Sequence, residues 1–142
     1  MTWDKAMKAA AAVVGAVAGC FGKWDATLTV LMIEMAVDYV SGLAVAACGR
    51  SPKTAAGGLS SRAGFTGIAR KGLIMLIVLL AALLDRTVGG TQAFRTAAAM
   101  YYIANEGLSI MENAALLDVP IPAKLKGALE ELKSDSRKES ED

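Results

Sequence analysis

The sequence predicts an all-α integral membrane protein with three to four transmembrane helices and a charged cytoplasmic C-terminal tail. Composition is the first observation: 54% of the 142 residues are hydrophobic and 20% charged, where soluble domains average roughly 45–50% and about a quarter. The second is the arrangement of the apolar residues into four stretches of helical length within residues 1–119. The third is charge segregation, because the connection spanning residues 49–71 holds five cations and no acid.

The first stretch, about 9–22, is uncharged, short and rich in Ala and Gly. Lys5 and Lys8 before it give it the look of a secretory signal, but Asp4 spoils the basic region and another apolar segment follows within a few residues. A retained helix is the better reading. Ala11, Gly15 and Gly19 recur every four positions, a small-residue strip suited to close helix packing. The second stretch, about 26–48, is long enough to cross a core of about 30 Å. The third, about 72–88, has an uncharged part of only about 20 Å, so it draws Asp85 and Arg86 toward the headgroups or thins the bilayer. The fourth, about 93–117, again has spanning length. Whether the first stretch spans or lies in the interface is open.

Five cations in one short loop, Arg50, Lys53, Arg62, Arg70 and Lys71, place residues 49–71 on the cytoplasmic side. The opposite connections, Lys23 to Asp25 and Asp85 to Thr91, are nearly neutral. With four spans both termini are cytoplasmic. Trp24, Tyr101 and Tyr102 are candidate interfacial anchors, the two tyrosines being equally suited to a core. Residues 120–142 follow Pro120 and Pro122 as a short amphipathic helix, with Leu125, Leu129 and Leu132 on one face, and a charged tail expected to be disordered from Ser134.

Acids inside the apolar stretches carry the functional signal. Glu34 and Asp38 stand four apart, on one face of the second helix. Two acids cost about 5–7 kcal/mol to insert and ten good apolar residues return about 3–6 kcal/mol, so this helix alone is near break-even. On the fourth helix Arg95, Asn105, Glu106, Ser109, Glu112 and Asn113 share roughly a third of the circumference. One reading satisfies these groups inside a monomer, against Arg95 or Asn and backbone donors. The other turns them toward a water-filled lumen or an oligomer interface. The excess of acids over nearby cations favours the second.

The chain contains no His and two Cys. Cys20 and Cys48 lack metal-site spacing and read as small buried hydrophobes, so no metal or other cofactor is expected. No nucleophile–base arrangement suggests an enzyme, and a net charge of +1 offers no field for nucleic acid.

Four blocks resemble one family. They are Met32 to Gly42 (MIEMAVDYVSG), Ser60 to Lys71 (SSRAGFTGIARK), Tyr102 to Asn113 (YIANEGLSIMEN), and Pro120-Ile121-Pro122 with Lys124-Leu125. In order and spacing they are similar to the toxin-secretion/phage-lysis holin family, over about Gly22 to Lys133. Asp38, Gly42, Gly67, Lys71, Asn105, Glu106, Ser109, Glu112 and Asn113 match that family's recurring positions, and no catalytic role comes with them. A long loop before Ser60 and Asp118 in place of a small residue depart from its pattern. The resemblance implies a phage or prophage protein of the bacterial cytoplasmic membrane that homo-oligomerises and opens lesions releasing an endolysin. Some members of the family assist toxin export. A non-lytic channel or transporter subunit and a soluble helical interaction protein are the rival readings.

Overall fold

The structure, a computed structural model, describes residues 2–141. Its five helices are α1 (Trp3–Cys20), α2 (Ala26–Ala47), α3 (Ser61–Thr87), α4 (Ala93–Leu116) and α5 (Ala123–Glu141), with no strand among the described residues. The chain is thus all-helical, and α2 and α3 are the two helices long and apolar enough to cross a membrane.

Local chemistry sets the helix starts. The Asp25 carboxylate accepts from the Leu28 backbone N–H at 3.1 Å to cap α2, and Ser60 does the same for α3 through Ala63. The second cap corrects an expectation. The basic connection read as loop through Lys71 is helical from Ser61, which lengthens α3 to 27 residues, about 40 Å. α1 starts at Trp3, ahead of the expected residue 9, because Ala-rich sequence propagates a helix back to Thr2. The tail expected to be disordered from Ser134 continues α5 to Glu141, tethered by packing on α4.

α4 is the central helix and packs against α2, α3 and α5. Between α2, α3 and α4 lies an apolar layer of Leu28, Leu31, Met35, Ile74, Val78, Ala99 and Ile103. Small residues permit the close approaches. A Cβ on Gly64 would stand 3.3 Å from the Tyr39 hydroxyl, and one on Gly67 3.4 Å from its ring. A Cβ on Gly107 would lie 2.9 Å from a Leu129 methyl, so a side chain there would require Leu129 of α5 to shift.

The outer faces are apolar. Val30, Ile33, Val37 and Val40 run down the outside of α2, and Leu73, Leu76, Ile77, Leu80, Leu83 and Leu84 down α3, all exposed. Stripes of this extent are far larger than the scattered apolar residues of a soluble surface. They suit hydrocarbon. α1 differs again: none of its residues is buried, and α3 is the only helix it contacts among the described residues. Of the two free cysteines, Cys20 is half-buried, whereas Cys48 is exposed rather than buried as expected, because it follows the last turn of α2.

Candidate functional site: two charged layers around an apolar core

Asp38, Lys71 and Glu106 come from α2, α3 and α4, and their side chains meet. Lys71 Nζ donates to Asp38 Oδ2 at 2.7 Å and also to Glu106 Oε2. The Asn113 amide donates to Asp38 Oδ1 at 3.2 Å and to the Ser41 hydroxyl at 2.8 Å. Asp38 is 9% exposed and Glu106 4%, so one lysine bridges two nearly buried carboxylates. Charge-assisted bonds at such depth lock three helices together, because removing any partner strands a charge.

Glu34 lies one turn before Asp38 on α2, within electrostatic reach of Glu106. Its Oε2 is buried with no hydrogen-bond partner among the described residues. Three carboxylates therefore share the neighbourhood of one ammonium group. A cavity of about 370 Å³ opens beside them, lined by Asp38, Lys71, Glu106, Ser109, Glu112 and Asn113 among others. Glu112 is exposed at its rim, and Asn105 accepts from Lys133 of α5 at 2.9 Å. Gly42 borders the same space, a Cβ there standing 3.8 Å from the Asn113 amide.

Arg95 is not part of this group. It lies near the start of α4, 1% exposed, in a second cluster at the opposite end of the bundle. Its Nη1 donates to the carbonyls of Phe21 (2.7 Å) and Lys23 (2.8 Å), and its Nη2 to Asp25 (2.5 Å) and Gln92 (2.7 Å). Asp85, 2% exposed, accepts from the backbone N–H groups of Phe94 and Arg95 and so caps α4 from the end of α3. Asp85 therefore turns inward, not toward the headgroups as expected. Arg86 reaches the Gly19 carbonyl at 2.7 Å and ties α1 to this end. The two charged layers bracket an apolar layer roughly 20 Å deep at 1.5 Å per residue.

The other sequence candidates are dispersed. Ala11, Gly15 and Gly19 are exposed, with nothing within 4 Å of a Cβ built on either glycine, so no helix of the chain uses that strip. Arg50 donates to Asp118 at 2.6 Å and to the Leu116 carbonyl, joining the basic connection to the end of α4. That hydrogen bond and the adjacent charge raise the Arg50 pKa, although exposure limits what the pair contributes to stability. Lys53, Arg62 and Arg70 are exposed near the start of α3. Trp24 is exposed and donates to Thr29, and Tyr101 and Tyr102 are half-buried, edge to face with each other.

Sequence reasoning missed Lys71 as a partner of the acids. The signal was present: counting back from the buried positions Val78 and Ile74 in steps of three and four reaches Lys71, Gly67 and Gly64, one continuous inward stripe. Asp25 and Asp85 were also missed, being read as loop charges.

Comparison with known proteins gives the chain a family. The sequence profile of the bacteriophage holin family matches residues 15–134, from α1 into α5. A protein of Clostridium perfringens, described as an uncharacterised 14.9 kDa protein in the nagH 3′ region, is 46% identical over 113 residues, covering 79% of this chain and 80% of its own. An uncharacterised protein of Halalkalibacterium halodurans is 37% identical over 91% of this chain and 94% of its own. A probable holin of Bacillus phage phi105 is 39% identical over 58% of this chain and 62% of its own. No solved structure matches. Since the matched span takes in both charged layers and the whole apolar core between them, the chain belongs to the bacteriophage holin family.

Proposed function

We propose that this protein is a lytic holin, a non-enzymatic membrane protein that homo-oligomerises in the cytoplasmic membrane of a bacterial host. Its lesions release an endolysin, with no direct contact between the two required. The observation that carries this reading is the family match across residues 15–134. The buried Asp38–Lys71–Glu106 bridge supplies a mechanism consistent with it.

In the resting state the bridge keeps charge inside a three-helix unit whose outer α2 and α3 faces meet lipid. Lys71 sits at the cytoplasmic end of the spanning region and the Arg95 cluster at the outer end, so both termini are cytoplasmic when α1 crosses as well. α1, which touches only α3 among the described residues and buries none of its own, offers its Ala11–Gly15–Gly19 strip to a second copy. Rearrangement of packed copies then opens the bridge and turns Glu34, Asp38, Glu106 and Glu112 toward a water-filled lesion. The membrane potential biases that step, as one charge crossing the field is worth about 2.3 kcal/mol per 100 mV.

Co-expression with an endolysin tests the reading. Induction is expected to stop growth abruptly and make the membrane permeable to large proteins, and Glu34→Gln combined with Asp38→Asn to change the time of lysis. Growth that continues at full membrane expression would remove the lytic reading and favour a channel or transporter subunit. Unchanged timing and oligomer size would remove these acids from the mechanism.

A further inference from the structure

At the start of α3 an open cavity of about 550 Å³ is lined by Lys53, Arg62 and Arg70 together with Thr54, Ser60 and Thr66. No acid lines it, and none of its three cations forms a salt bridge among the described residues. Three unpaired cations converging on one concavity repel each other, and an anion seated among them removes that cost.

The hydroxyls define which part of the anion fits. Thr54 and Thr66 donate to the carbonyls of Gly58 and Arg62, and Ser60 Oγ accepts from Ala63. The Ser60 hydroxyl proton remains available, as do the backbone N–H groups of Ser61 and Arg62, the first two positions of α3, which carry no intrahelical bond. Donors from a hydroxyl, a helix start and two guanidinium forks suit the tetrahedral oxygens of a phosphate.

The surroundings define what carries the phosphate. Leu59 and Phe65, next in sequence to the lining residues Ser60 and Thr66, are exposed, and the exposed apolar stripe of α3 begins at Leu73, three residues past Arg70. A free phosphate has no use for such neighbours, whereas acyl chains lie along them. At 1.5 Å per residue Arg62 stands roughly 35 Å from Asp85, the spacing of opposite headgroup regions. We propose that this cavity is a binding site for the phosphate of an anionic phospholipid in the leaflet that faces the basic connection. The inference goes beyond lysis and requires only that α3 lies across a bilayer.

Purified full-length protein in phosphatidylcholine vesicles doped with phosphatidylglycerol tests it, with phosphatidylglycerol retained per chain counted by native mass spectrometry. Wild type is expected to retain it, and Arg62→Gln/Arg70→Gln to retain about 25-fold less, the product of two contacts worth roughly fivefold each. Lys53→Gln alone should lower retention about fivefold. Lys124→Gln/Lys126→Gln removes equal charge elsewhere and should leave retention unchanged. Equal loss in that control would reduce the effect to general surface charge and overturn the site, as would full retention in the arginine variant. Displacement of the lipid by inorganic phosphate at constant ionic strength would assign the cavity to a soluble anion instead. Retention is read on purified protein, so failure here and failure to lyse cells are separate results.

Discussion

Lys71→Met should destabilise the folded bundle by about 3–5 kcal/mol, the cost of stranding buried charge. The methionine fills the lysine's space, so the loss comes from Asp38 and Glu106 facing each other without a cation. Adding Asp38→Asn and Glu106→Gln to the same chain should recover most of that stability, because the charges that needed the ammonium group are gone. Reversible unfolding in mixed micelles, followed by circular dichroism, measures both effects. If Lys71→Met alone unfolds at the wild-type midpoint, the bridge holds nothing together.

Arg95→Ala should cost a similar amount, about 3–5 kcal/mol, at the other end of the molecule. It leaves the Phe21 and Lys23 carbonyls and the Asp25 carboxylate without their donor. Arg95→Lys should recover only part of the loss, leaving about 2 kcal/mol missing. A guanidinium presents two nitrogens to two sets of acceptors, whereas one ammonium group cannot hold both. Hydrogen exchange in the α1–α2 connection gives the decisive signature. Protection at residues 21–25 should fall in Arg95→Lys while the Lys71 end keeps its protection. Uniform loss along the chain would mean that Arg95 acts on global packing instead.

Different sites for these two residues bear on what the sequence could show. A helical wheel reads angle, and by angle Arg95 shares a face with Glu106 and Asn113. It does not read depth, and depth puts Arg95 beside Asp25 and the other two beside Asp38. Partner choice across helices is a tertiary fact. Even so, the apolar runs match the helical bounds of α2 and α4 closely, because the length of a run and the breakers that flank it constrain a helix together. The start of α3 was hidden for the opposite reason. Arg62, Arg70 and Lys71 look like loop residues when counted as charge, though each belongs to a helix turn whose inner face is glycine and whose outer face is Phe65 and Ile68.

The tail shows the same limit. Composition marks residues 134–142 as too polar to form a core, and alone they would not. Docking of Leu129 at Gly107 and of Lys133 at Asn105 holds α5 to α4. That docking anchors a helix which Lys, Arg and Glu, good helix formers, carry on to Glu141.

If the bundle crosses the membrane as proposed, its ionic groups turn inward from lipid and the basic connection and the Arg95 cluster lie on opposite sides. Cysteine accessibility in intact cells, before lysis, tests it most directly. In a Cys20→Ser/Cys48→Ser background, single cysteines replace Ala55, Leu80 and Thr91, all exposed on the isolated chain. An impermeant maleimide should label position 91 from outside and position 55 only after the cytoplasm is opened, and position 80 should resist both treatments. Labelling of 55 and 91 from one side, or ready labelling of 80, would contradict the account.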